Sequence, residues 1–239
     1  IPIVNDIIDE IFDYLGFNDL EGEIKSIKGL ENFSDISIKI AEVLDQKGLD
    51  IKLKNGDPEA EYLCALAYMR EKKNKNLNFG ENSYDPRKAV SYFLKSASKS
   101  YPSSYFELGN IYYYGEGKVI NKDHKKAIDY YKKAADLNHP DAQYWLGVFF
   151  EAGDIVSKNE KKSFEYFKMA ADQNHDEALF EVGLYYYFGE VVEKNDILAL
   201  EYINKSAEFN YEEALFYLGI IYDEGEIVSR DEKKSKEYF

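Results

Sequence analysis

A chain of 239 residues with a formal charge of −15 and a pI near 4.7 repels phosphate backbones and acidic lipid head groups, so nucleic acid is excluded as an expected partner. Hydrophobic residues at 45% and charged residues at 31% are values for a soluble folded chain, and no apolar run approaches the roughly 18 residues of a membrane helix, which excludes membrane insertion. One cysteine, Cys64, excludes an intrachain disulfide and a thiolate metal cluster, and it favours a reducing, cytoplasmic compartment.

Residues 1–56 predict a helical N-terminal cap. Ile3, Ile7, Ile8, Ile11, Phe12 and Leu15 mark one face of an amphipathic helix, and Ile36, Ile40, Val43 and Leu44 mark another. A cap of this kind covers the apolar end of a stack of repeats. The string Asn5-Asp6-Ile7-Ile8-Asp9-Glu10-Ile11-Phe12-Asp13-Tyr14-Leu15, with Asp19-Leu20 after it, resembles the opening of an F-box, a helical module that docks onto a ubiquitin-ligase adaptor. That resemblance implies an alternative function, a substrate adaptor of a ubiquitin ligase whose remaining residues read the substrate.

From residue 57 the chain repeats itself. Leu108-Gly109, Leu146-Gly147, Val182-Gly183 and Leu218-Gly219 recur at spacings of 38, 36 and 36, with Cys64-Ala65 as a weaker copy. Six residues after each of those glycines comes another, Gly115, Gly153, Gly189 and Gly225, as a turn with positive φ requires. A second helix follows, with a small residue at Ala89, Ala127, Ser163, Ala199 and Ser235 and an aromatic three residues later at Tyr92, Tyr130, Tyr166, Tyr202 and Tyr238. Small pairs close it at Ser96-Ala97, Ala134-Ala135, Ala170-Ala171 and Ser206-Ala207, where neighbouring helices can approach closely. Each unit is a helical hairpin that cannot bury its apolar face alone, so successive copies stack. The sequence starts at Ile1 without methionine and stops at Phe239 partway through a unit, which reads as an excised piece with room for a removed signal sequence.

The run Ala142-Gln143-Tyr144-Trp145-Leu146-Gly147, a glycine-headed loop, and then Ser163 to Ala171 resembles the Sel-one-like repeat family, relatives of the tetratricopeptide repeats. The likeness covers about Asp57 to Phe239, as units 57–101, 102–139, 140–175, 176–211 and a truncated 212–239. It implies an all-α fold, a right-handed α/α superhelical solenoid of helical hairpin repeats. The function it implies is a non-enzymatic scaffold or adaptor that binds a peptide or partner protein on its concave face. The first unit departs from the pattern by an insertion, Arg70 to Tyr84, and by Ala65 where the others have glycine, while a second loop glycine survives only as Gly117.

No catalytic residue, metal or cofactor is expected. His139 and His175 fall at the same inter-repeat position of neighbouring units, where a surface-loop residue is expected rather than a zinc pair, and His124 sits in a charged turn. Cys64 shares the column of Leu108, Leu146, Val182 and Leu218 and is expected to be core. Carboxylates are too abundant for one pair to mark acid–base chemistry, and no phosphate loop, dinucleotide fingerprint or serine elbow appears. A third function, a β-lactam hydrolase like some cysteine-rich relatives, would need disulfide-linked repeats that a single cysteine cannot form.

A helical wheel of each first helix, counted from the glycine of its Leu-Gly pair, puts the Leu, the glycine and the aromatics three before and three after on a core arc. In a related solenoid the opposite arc lines the concave surface. It holds Glu107, Trp145, Glu181 and Tyr217 two before; Asn110, Val148, Leu184 and Ile220 one after; Ile111, Phe149, Tyr185 and Ile221 two after; and Tyr114, Ala152, Phe188 and Glu224 five after. A stripe so rich in apolar and aromatic residues is the expected partner-binding face, with Trp145 as its anchor and Glu107, Glu181 and Glu224 selecting basic partners.

Overall fold

The computed structural model describes residues 56–69 and 84–239, which divide into two units, Ile1–Lys122 and Asp123–Phe239. The expected N-terminal cap and the F-box-like string lie outside the described residues, as does the insertion of the first repeat apart from Tyr84. The first unit contains α1 (Pro58–Tyr68), α2 (Pro86–Ala97) and α3 (Pro102–Tyr114). The second contains α4 (His124–Asp136), α5 (Pro140–Ala152), α6 (Glu160–Ala171), α7 (Asp176–Phe188), α8 (Asp196–Glu208), α9 (Glu212–Glu224) and α10 (Glu232–Tyr238). Among the described residues there is no strand beyond one bridge, Glu116 to Ile120, and no helix long and apolar enough to cross a membrane. The fold class is all-α, in helical-hairpin repeats: α1 packs on α2, α5 on α6, α7 on α8 and α9 on α10.

Local chemistry sets the boundaries. Every second helix is N-capped by an acid or its amide, Asp85, Asp123, Asn159, Asn195 and Asp231, whose side chain accepts backbone N–H groups of the first turn. Four of these caps also donate their own N–H to the end of the preceding first helix, as from Asn159 to the Phe150 carbonyl at 2.8 Å and from Asn195 to the Tyr186 carbonyl at 2.9 Å. First helices α5, α7 and α9 end at Gly153, Gly189 and Gly225 with φ of 71 to 76°, the left-handed conformation expected of those glycines. Second helices α4 and α6 end on Asn138 and Asn174, also left-handed at φ 63 and 65°. There the following N–H reaches back to Ala134 or Ala170 in the paired carbonyl bonds of a Schellman ending. Asn195 accepts from both Ile197 and Leu198. Asn195→Ala is therefore expected to lower stability by about 1 kcal/mol in urea unfolding, whereas no loss would show that the cap is dispensable.

The recurring apolar residues meet where the helices of a hairpin touch. Leu146, Val182 and Leu218 are fully buried, as is Phe167 on α6, and Cys64 in the same column of α1 is buried too. A Cβ at Gly147 would lie 2.6 Å from two ring carbons of Phe167, and one at Gly183 would lie 2.6 Å from Ile203 Cγ1. Glycine is required because the second helix lies directly against the first-helix backbone. The aromatic column of the second helices stacks on the last turn of the first: Phe150 on Tyr166 at 5.7 Å, Tyr186 on Tyr202 at 5.8 Å and Tyr222 on Tyr238 at 5.8 Å. Between repeats of the second unit, buried Gln143 donates to the Ala135 carbonyl at 3.2 Å and accepts from Gln173 at 2.7 Å.

Candidate functional site

On α3 of the first unit, Glu107 and Asn110 are part-buried and joined by a 3.3 Å hydrogen bond from the Asn110 amide. Tyr114 is 56% exposed. In the second unit Trp145, Val148, Glu181, Leu184 and Tyr217 are part-buried, and Phe188 is 56% exposed.

The column two after the glycine does not belong to this face. Ile111, Phe149 and Tyr185 are at most 9% exposed. In the second unit the reason is visible: these side chains insert against the second helix of the preceding repeat. Phe149 packs on Tyr131 of α4 at 5.5 Å, and Tyr185 packs on Phe164 and Phe167 of α6 at 5.5 and 6.3 Å. The Tyr185 hydroxyl donates to Glu151 at 3.2 Å. Val148 and Leu184, one position earlier, lean against the buried clusters of the following repeat. What remains accessible is a narrower stripe of Trp145, Glu181 and Tyr217, with Phe188 at the far end of α7.

Glu181 stands out on that stripe. Among the described residues it makes neither a hydrogen bond nor an ion pair, and burial, reinforced by the Glu151 carboxylate, pushes its carboxyl up to about 7. Its surroundings are phenolic and acidic. Tyr144 on α5 is pushed up to about 12, first by burial and then by Glu181, Glu177, Glu151 and Glu213. Tyr211, which precedes α9, is raised by burial and then by Glu213, Tyr144, Glu181 and Glu177. Phe180, next to Glu181, lies 5.6 Å from the Tyr211 ring and 5.7 Å from the Tyr217 ring.

The charges are segregated by helix. Carboxylates are the only fully charged side chains on α5, α7 and α9, whereas lysines occur on α4, α6, α8 and α10. Several lysines lie over the outer aromatic stack, such as Lys162 at 5.3 Å from the Phe150 ring centre and Lys234 at 4.9 Å from that of Tyr222.

The two inter-repeat histidines are N-caps rather than surface-loop residues. His139 Nδ1 accepts from the Ala142 N–H and His175 Nδ1 from the Ala178 N–H, both at 3.4 Å, and their side chains are only 12% and 9% exposed. Burial holds His139 below the usual imidazole range. His175 stacks on Tyr144 at 4.8 Å and turns Nε2 towards Asp141 at 3.5 Å, which keeps the Asp141 carboxyl low. His175, Asp176 and Glu177 present donor atoms within 4.8 Å of one another, a donor set among the described residues that could hold a metal. Both imidazole nitrogens already face protein groups, so the arrangement is satisfied as a helix cap.

The Sel1 repeat family profile matches residues 79–101, 102–139, 140–175, 176–208 and 212–239. A comparison with curated protein sequences gives no match. Among solved structures the chain is similar to a Sel1 repeat protein from Oxalobacter formigenes, with a TM-score of 0.70 and 21% identity over 96% of each chain. It is also similar to c5321, a protective antigen present in uropathogenic Escherichia coli strains displaying an SLR fold, with a TM-score of 0.69 and 22% identity. That match covers 92% of this chain and 47% of that one. At these identities the likeness is one of fold.

Proposed function

The chain belongs to the Sel1 repeat family, whose repeats serve as protein-interaction scaffolds, and from that premise we propose that it binds a peptide or partner protein on the first-helix face of its second unit, without catalysis. The observation that carries this reading is the accessible stripe of Trp145, Glu181 and Tyr217, bordered by the exposed ring of Phe188. Large aromatic side chains left partly accessible on a rigid helical array are the usual anchors of a peptide groove. Rigidity comes from below: the same helices are fixed by the Gly147–Phe167 and Gly183–Ile203 contacts, so the stripe is pre-formed.

Trp145→Ala is expected to weaken capture of the cognate partner from a lysate of the source cells by about 2 kcal/mol or more, some thirty-fold in affinity. Circular dichroism should show the helical content unchanged. If every protein captured by the parent chain is retained equally by the variant, the binding face lies elsewhere.

A further inference from the structure

We propose that this docking face selects a partner segment carrying lysine or arginine, with the cationic head of that side chain meeting Glu181. The inference rests on the reading of the face as a docking surface and adds the chemistry of the occupant. Charge complementarity is the first support. Along α5, α7 and α9 no lysine or arginine interrupts the carboxylates, so these helices themselves present negative charge, with Lys194 and Arg230 of the following loops as the cations that reach α7 and α9. Among the described residues, second-helix lysines lie over the outer aromatic stack, as Lys162 over Phe150 and Lys168 over Tyr202, and Lys168 also pairs with Asp172; of the loop cations, Arg230 is paired with Asp223 and Lys158 with Glu160.

The second support is the state of Glu181. A part-buried carboxylate with neither hydrogen bond nor ion pair among the described residues has lost part of its water without gaining a protein partner. Tyr144 on the preceding first helix and Tyr211, the N-cap of the following one, both sense its charge, so a phenol stands near the carboxylate in the repeat before and in the repeat after. Trp145 and Tyr217, in the same column one repeat to either side, offer apolar surface for the aliphatic stem and for neighbouring residues of the segment. A neutral or acidic segment would leave Glu181 desolvated and unpaired, which is the unfavourable half of the discrimination.

The probes are a blocked amphipathic arginine/leucine peptide and its citrulline/leucine counterpart, which keeps the shape and removes the charge. Binding to the full chain is measured by calorimetry and by the emission of Trp145, the single tryptophan. The arginine peptide is expected to bind and shift that emission, the citrulline peptide to bind at least tenfold more weakly, and Glu181→Gln to weaken the arginine peptide about tenfold. Glu201→Gln, an exposed carboxylate on α8, should leave its affinity unchanged. Equal affinity for the two peptides, equal losses from the two substitutions, or no binding up to the solubility of the arginine peptide each overturns the proposal. Should Trp145→Ala still abolish partner capture in that case, the docking face stands without its cation preference; should it not, both readings fall together.

Discussion

Phe167→Ala is expected to lower the free energy of unfolding by about 3–5 kcal/mol, the cost of emptying a fully buried aromatic site. The ring packs between the Gly147 backbone, the Tyr144 ring at 5.6 Å and the Tyr185 ring at 6.3 Å, so its loss opens the hairpin and the contact with the next repeat at once. Gly147→Ala attacks the same contact from the other side. Its new methyl group falls 2.6 Å from two ring carbons, and overpacking of this kind costs about 1–3 kcal/mol. The two substitutions should couple: in the Phe167→Ala background, where the ring is gone, Gly147→Ala should cost almost nothing. Urea unfolding followed by Trp145 emission and by circular dichroism measures all four corners of the cycle. If Gly147→Ala costs the same in both backgrounds, something other than the Phe167 ring demands glycine at that position.

That contact also explains why the repeat was legible in the sequence. The Leu-Gly pair and the small pairs recur because they mark places where two helices approach closely, and the second-helix aromatic recurs because it stacks on the last turn of the first helix; fixed contacts of both kinds leave a periodic trace. The wheel erred at Phe149 and Tyr185 for a physical reason. It divides a helix into a buried and an open arc, as if one neighbour covered it. In the second unit a first helix such as α7 is touched by its own second helix, by the second helix of the preceding repeat and by the following first helix, so more than one arc of it is buried. The residue two after the glycine points into the second of these contacts, while Trp145 and Glu181 lie beyond its edge.

Polar signals at the same period were present and unread. The caps Asp85, Asp123, Asn159, Asn195 and Asp231 keep the step of the apolar columns, as do the left-handed Asn138, Asn174 and Asn210. So do His139 and His175, whose capping role follows from their place one residue after the left-handed asparagine. The acidic bias of the first helices becomes visible once the helix boundaries are known, because charge summed over the whole chain blends them with second helices that carry both lysines and carboxylates. The raised carboxyl of Glu181 had no signature in sequence, since it depends on burial within the stack and on Glu151, supplied by the repeat before it.

A gain of stability is expected where the face is least satisfied. Glu181→Gln should leave stability unchanged near pH 4 and raise it by up to the order of 3 kcal/mol at about pH 8. The sign follows from the proton count. In the unfolded chain the carboxyl titrates near its ordinary 4.5, whereas burial and Glu151 hold it protonated in the folded chain up to about 7. Between those values the folded state binds more protons, so stability falls as pH rises through the window, and above it the full cost of ionising a buried carboxylate is present. Glutamine carries no such cost. The group that acts on Glu181 is Glu151 from α5, and Glu181 in turn acts on the phenols of Tyr144 and Tyr211, which Glu177 and Glu213 also raise. Both phenols stay neutral throughout, and the remaining carboxylates are common to parent and variant, so the difference between the two melting curves isolates position 181. Parallel pH profiles would mean that Glu181 finds water or a counter-ion in the free protein. A widening difference across the window would identify a carboxylate that destabilises the free chain and is relieved only by a cation, and the arginine peptide should then lose affinity as the pH drops below about 7.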